Sequence, residues 1–263
     1  MLLQTQNLTK AFGGLLAVQA IDFSLAAGEV TAIIGPNGSG KTTFFNVLSG
    51  ILPATKGRVM FRDEDVTALK ADAMARRGMA RTFQNIRLFP NLTAHDNVVV
   101  GRYSRTASGL WDGLVRSGRL VREARETNAV VEELLGFVGL EAYADTMARH
   151  LPYGAQRRLE IARALASEPV LLMLDEPAAG MNPREVDDLL GLIRELKARG
   201  LTILVIEHQM RLVMGIAERV VVFDSGTKIA EGSPQAVRAD PKVVEAYIGV
   251  EGHRFARRTR PQR

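Results

Sequence analysis

One eight-residue run narrows the possible folds more than any other part of this 263-residue chain: GPNGSGKT, from Gly35 to Thr42. It follows the apolar run EVTAII and opens into TTFFNVLSG, so a strand leads into a glycine-rich loop and the loop into a helix. The run fits G-x-x-x-x-G-K-[ST], and its flanking elements are those the pattern requires. Glycine at 35, 38 and 40 keeps the backbone bare, so the loop Gly35, Pro36, Asn37, Gly38, Ser39 and Gly40 can wrap N–H groups around the β- and γ-phosphates of a nucleotide. Lys41 is expected to reach the β/γ oxygens. The Thr42 hydroxyl is expected to ligate Mg²⁺, and Thr43 lies beside it in the first helical turn.

A second chemical feature ends the apolar strand VLLML. Asp175 and Glu176 stand where that strand emerges, the sheet edge at which ligands bind in open α/β folds. Asp175 is expected to hold Mg²⁺ through its water shell, and Glu176 to act as general base on the water that attacks the γ-phosphate. Gln84, in RTFQNIRLFP, and His208, in VIEHQM, are weak signals taken singly. His208 follows LTILVI, the expected neighbour of the Asp175 strand, and so gains a reason to lie near the γ-phosphate. Phe12, in KAFGGLLAV, reads as core on composition alone; lying upstream of the phosphate loop, it also has a face to offer to adenine.

The rest of the chain reads as a helix-covered parallel sheet. Apolar strands alternate with amphipathic helices, the pattern of a sheet buried on both faces. NPREVDDLLGLIRELKARG is a well-signalled helix, with Asn182 to cap it, Pro183 in its first turn and Gly200 to end it. Short β-like runs dominate up to about Phe61, whereas residues 89–163 are helix-forming and Arg/Glu/Ala-rich, as an inserted lobe would be. No apolar run approaches the ~20 residues that span a bilayer, and MLLQTQNLTK lacks the charge and apolar pattern of an export signal. With no cysteine, disulfides and thiolate metal sites are excluded, in keeping with a reducing compartment. The net charge of +5 comes from HRFARRTRPQR, which carries five of the 34 basic residues and no acid; the other 29 balance the 29 acidic ones. Residues 251–263 are therefore expected to be a solvated, disordered tail rather than a nucleic-acid site.

Taken together these motifs resemble the ATPase subunit of an ABC transporter, over a stretch from about Leu2 to Gly249. The correspondence runs through the stacking aromatic Phe12, Walker A at Gly35 to Thr42, the Q-loop at Gln84, a signature at Leu151 to Ala155, Walker B at Val170 to Asp175 with Glu176, a D-loop at Ala179 to Asn182 and a switch histidine at His208. The resemblance implies a P-loop NTPase with a RecA-like parallel core, an N-terminal antiparallel β subdomain and an inserted helical subdomain, in one cassette over 1–250. It implies ATP and Mg²⁺ as ligands, with Lys41, Gln84, Glu176 and His208 catalytic and Thr42, Gln84 and Asp175 around the metal. It further implies a head-to-tail pair of subunits, in which Gly154 and the helix behind it cap the γ-phosphate held by the partner. The usual LSGGQ signature is here LPYGA, with Pro152, Tyr153 and Ala155 replacing Ser, Gly and Gln. Pro152 has neither hydroxyl nor amide hydrogen to donate, while Gly154 is retained.

The runs LPYG-x-QRRLEIARAL, DEPAAGMNP and IEHQMRLVMGIA, with the GLWDGLVRSGRLVRE segment, are similar to the LivG-type ATPases of branched-chain amino acid importers. That group implies a second ATPase subunit, alike or distinct, two membrane permeases contacted near residues 84–97, and an extracytoplasmic binding protein. It places the chain in the cytoplasm, on the inner face of the membrane. Alternatives are a transporter ATPase for another cargo (urea, short amides or exported lipid), a soluble ABC ATPase, and a P-loop kinase or GTPase. The last lacks any NKxD-like guanine-reading motif here and would have no use for the signature.

Overall fold

The computed structural model describes residues 1–105 and 118–247; the basic tail and most of the GLWDGLVRSGRLVRE segment lie outside the described residues. The chain divides into two compact units, one of residues Met1–Ala71 and Leu196–Arg263, the other of Asp72–Glu195.

The first unit holds two sheets. Strands β1 (Leu3–Phe12), β2 (Leu15–Leu25), β4 (Lys56–Phe61) and β5 (Glu64–Asp65) pair antiparallel in the order β2-β1-β4-β5. The β1–β2 hairpin turns on Gly13 and Gly14 alone, pairing Phe12 with Leu15, and Gly13 takes the positive φ of 56° that so tight a turn demands. In the second sheet β3 (Val30–Ile34) lies parallel between β8 (Thr202–Ile206) and β9 (Arg219–Asp224), and β10 (Thr227–Gly232) pairs antiparallel with β9. Every residue of β3 and β8 is buried, as the continuous apolar runs of a helix-covered parallel sheet require. Helix Lys41–Leu48 is anchored by Phe44, whose ring meets Phe23 and Phe223 edge-on at 5.6 and 5.2 Å. All three rings are essentially inaccessible to solvent, and truncating Phe44 to alanine would cost about 3–5 kcal/mol. The helix Pro234–Ala239 begins with Ser233 accepting from the Ala236 amide and with Pro234 in its first turn.

The second unit pairs β6 (Met79–Arg81) parallel with β7 (Leu171–Asp175), again wholly buried, and adds the helices Ala94–Gly101, Gly118–Phe137 and Tyr153–Leu165. The helix Pro183–Ala198 starts here. Asn182 Oδ1 accepts from the amides of Arg184 and Glu185 at 3.0 Å each, while Glu185 Oε2 accepts from the Asn182 amide at 2.9 Å, a reciprocal capping box. Among the described residues no helix is long and apolar enough to cross a membrane.

Candidate functional site

In the first unit, the loop between β3 and the helix Lys41–Leu48 forms a tight cradle. Gly35, Gly38 and Gly40 have φ of 148°, 84° and 99°. A methyl group on Gly35 would sit 2.1 Å from the Phe223 carbonyl oxygen, and one on Gly40 would sit 2.2 Å from that of Ala17, so backbone leaves no room for a side chain at either position. The Lys41 ammonium curls back into the loop, donating to the carbonyls of Gly35 (2.8 Å) and Pro36 (2.9 Å) and to Ser39 Oγ (3.4 Å). A buried cation facing a bare loop, at the start of a helix that no side chain caps, suits a polyphosphate. Thr42 is exposed and Thr43 half-buried behind it.

Phe12 is not core. It is 46% exposed at the end of β1, and the Lys10 ammonium lies over one face of its ring, 5.1 Å from the centroid. His208 is exposed just beyond β8. The preceding Glu207, fully buried, accepts from the amides of His208 (2.7 Å) and Gln209 (2.9 Å) and so shapes the turn that carries the histidine.

In the second unit, Asp175 ends β7 and Glu176 follows in a left-handed conformation, φ 47°. A non-glycine residue there is held against its own preference by the surroundings, a condition concentrated at functional sites. Gln84 Nε2 donates to Glu176 Oε2 at 3.0 Å, joining two residues 92 positions apart that the sequence had singled out separately. Asp175 Oδ2 accepts from Arg81 at 2.8 Å, with the two side chains only 2% and 6% exposed. Burial pulls the Arg81 guanidinium below its ordinary pKa, and the Asp175 hydrogen bond opposes that shift.

The helix Tyr153–Leu165 begins after Pro152 with no side-chain cap. Gly154 is buried, and a methyl group on it would lie 2.4 Å from Glu185 Oε1, so the carboxylate that completes the Asn182 capping box fills the space in front of this glycine. Gln156 turns back to donate to the Leu151 carbonyl at 2.9 Å. The Tyr153 hydroxyl donates to the Ala179 carbonyl at 2.9 Å.

Three residues of this region were missed in the sequence. Arg81 pairs with Asp175; Arg157 and Glu160 are buried in the helix Tyr153–Leu165. Glu160 accepts from the amides of Phe83 and Arg87 at 3.3 Å each, and Arg157 donates to the carbonyls of Phe83 (2.8 Å) and Gln84. Burial pushes the Glu160 carboxyl up, against the pull of those amides and of Arg157. The spacing of Arg157 and Glu160 by three residues, on a helix with a clear apolar face, was the one available signal.

The donor set fits the ligands in question. The cradle excludes a Cβ and encloses a cation, as a phosphate site does. The Thr42 hydroxyl in the first unit, and separately the Asp175 carboxylate and the Gln84 side-chain carbonyl in the second, are hard oxygen donors of the kind Mg²⁺ takes, and Mg²⁺ needs only one or two protein ligands beside phosphate. Among the described residues there is no group of three or more His, Asp or Glu that would make a separate, phosphate-independent metal site.

Comparison with known proteins agrees with this chemistry. Residues 18–179 match the family model of the ABC transporter, and residues 227–253 that of the branched-chain amino acid ATP-binding cassette transporter. The chain is 43% identical to the high-affinity branched-chain amino acid transport ATP-binding protein LivG of Escherichia coli (strain K12), covering 94% of this chain and 98% of the relative. Among solved structures, the ADP conformation of an ATP-binding cassette of an ABC transporter is 34% identical, with a TM-score of 0.82 and 94% and 98% of the two chains covered. A dimeric cassette in a post-hydrolysis state, bound to ADP and Pi, is 25% identical with a TM-score of 0.76, covering 89% of this chain and 99% of that one.

Proposed function

Because the chain belongs to the ABC transporter family, we propose that it is the ATP-hydrolysing subunit of an importer for branched-chain amino acids. The observation that carries the cargo is the match of residues 227–253 to the branched-chain family model, a segment apart from the nucleotide motifs common to all such cassettes. The cargo itself is recognised by other subunits: two permeases and an extracytoplasmic binding protein. The chain works on the cytoplasmic side, held to the membrane by those permeases.

In this reading Phe12 stacks on adenine and the loop Gly35–Thr43 takes the β- and γ-phosphates. Lys41 exchanges the carbonyls of Gly35 and Pro36 for phosphate oxygens, a stronger, charge-assisted contact. Thr42, Asp175 and Gln84 would hold Mg²⁺, which would supply neutralisation of phosphate charge. Glu176 accepts the proton of the water that attacks the γ-phosphorus; the bond to the ADP oxygen breaks, and phosphate and ADP leave. His208, beyond β8, senses the γ-phosphate.

The second ATPase subunit lends the missing contact through the end of its signature helix, as Gly154 does for the partner's nucleotide; the dimeric relative supports such a pairing. In this chain Glu185 lies beside Gly154, and like charges repel. Docking of the partner's γ-phosphate therefore requires the Glu185 carboxylate to turn away.

Glu176→Gln tests the mechanism: turnover is expected to fall at least about a hundredfold, since a positioned base contributes roughly 10²–10⁴. ATP binding is expected to persist, with a nucleotide-dependent dimer in size-exclusion chromatography. Hydrolysis near the wild-type rate would remove Glu176 as the base. The cargo is tested by leucine-dependent ATP hydrolysis in vesicles carrying the assembled transporter.

A further inference from the structure

We infer that Tyr153 and Arg157 are positioning residues for Glu176, acting through a closed circuit of hydrogen bonds; the inference rests on the ATPase reading above. The circuit starts at the Glu176 side chain, which accepts from Gln84 Nε2 at 3.0 Å. The Gln84 carbonyl accepts from Arg157 Nη2. The same guanidinium donates to Tyr153 Oη at 3.1 Å, and that hydroxyl donates to the Ala179 carbonyl at 2.9 Å. The Ala179 amide donates to the Glu176 carbonyl at 3.1 Å, which closes the ring on the residue where it began.

Each link has a physical reason to be firm. Arg157 is 4% exposed and also grips the Phe83 carbonyl at 2.8 Å, so its fork cannot swing into water. The buried Glu160 carboxylate, 3.4 Å from Arg157, fixes the same segment by accepting from the Phe83 and Arg87 amides. The Tyr153 ring packs on Gly180, where a methyl group would come within 3.1 Å of Cε1. Gly180 also has φ 77°, a backbone conformation that favours glycine.

The ring answers two oddities at once. Glu176 sits in a left-handed conformation that needs outside constraint, and the circuit constrains both its backbone and its carboxylate. Tyr153 stands where the usual signature has a glycine, and a glycine has no side chain to close this circuit. The substitution thus couples the segments around Gln84 and Ala179 to the start of the signature helix, within one subunit. A change at that helix end is felt at the base without any direct contact to it.

Tyr153→Phe is the sharpest test, because it keeps the ring on Gly180 and deletes only the hydroxyl. The full chain is compared with wild type and Glu176→Gln. Turnover at saturating ATP is expected to fall about tenfold, the equivalent of ~1.4 kcal/mol. The dissociation constant for ATP and the melting temperature are expected to stay within about twofold and ~4 °C, since the lost group is one partly exposed hydroxyl with two hydrogen bonds. Hydrogen exchange of the amides at 176–181 is expected to quicken several-fold, with the rest of the chain unchanged.

Wild-type exchange at 176–181 would overturn the inference, and so would faster exchange spread evenly over the chain with a lowered melting temperature. Unaltered turnover in Tyr153→Phe, with Glu176→Gln inactive, would overturn it while leaving the ATPase reading intact. If wild type itself hydrolysed no ATP, the ATPase reading would fail, and the exchange measurement would still decide the circuit.

Discussion

Removing the guanidinium of Arg81 isolates the energetics of the acidic strand end from catalysis. Arg81→Met preserves much of the side-chain bulk but leaves Asp175, 2% exposed, without its charged partner. Breaking a buried pair from one side costs about 3–5 kcal/mol, because a carboxylate is left in a poor solvent. Asp175 keeps other interactions, so the lower end applies: about 3 kcal/mol, or a melting temperature roughly 6–12 °C lower for a chain of this size. Asp175→Asn is expected to destabilise in turn, by taking from Arg81 the charged carboxylate it donates to. The double variant removes both charges, and should be no less stable than Arg81→Met alone. Urea unfolding of the nucleotide-free chain at pH 7 closes this cycle. If the two single losses simply add in the double variant, to within about 0.5 kcal/mol, the pair is not coupled and the reasoning fails.

Lys41→Met should weaken ATP binding about a hundredfold in calorimetry, the loss of charge-assisted hydrogen bonds worth ~2.8 kcal/mol together; unchanged affinity would mean the cradle binds no phosphate. Phe12→Ala should leave the urea midpoint nearly unaltered, because the ring is exposed, yet weaken ATP binding about tenfold through lost stacking. Equal affinity would return Phe12 to a purely structural part. The Glu160 carboxyl has its folded pKa raised above 4.5 by burial, so its ionisation disfavours the folded state: stability present below pH 4.5 is lost as pH rises through the folded value. Glu160→Gln keeps an acceptor for the Phe83 and Arg87 amides, and its stability relative to wild type should therefore climb across that window and then level off. A flat difference would show that Glu160 does not titrate there.

The residues legible in the sequence share a property: their chemistry is written over a few consecutive positions. Gly35, Gly38, Gly40, Lys41 and Thr42 sit at the spacing a phosphate demands, and the two outer glycines prove sterically obligatory against Phe223 and Ala17. The strands β3, β7 and β8 announce themselves as unbroken apolar runs, and Asn182 with Pro183 announces a helix start. Phe12 escaped a composition-based reading because an aromatic residue at a hairpin end looks like core until its exposure is known.

What the sequence withheld is the set of contacts made across long loops. Gln84 meets Glu176 over 92 residues, Arg157 meets Gln84 over 73, and Tyr153 meets Ala179 over 26. Helical periodicity assigns a charged residue to solvent by default, and so it turns Arg157 and Glu160 outward, whereas their partners are backbone groups of an irregular segment. Such a segment cannot satisfy its own amides and carbonyls when buried, and burying a charge becomes tolerable where it satisfies several of them together. Nor does anything local say that Glu185, 31 positions on, also belongs to the space before Gly154. Phosphate contacts are therefore the part of this site that short motifs encode, while the orientation of Glu176 is encoded in pairs that only the fold brings together. A variant that keeps the phosphate loop and the Asp175–Glu176 strand end is therefore expected to turn over slowly if Tyr153 or Arg157 is changed.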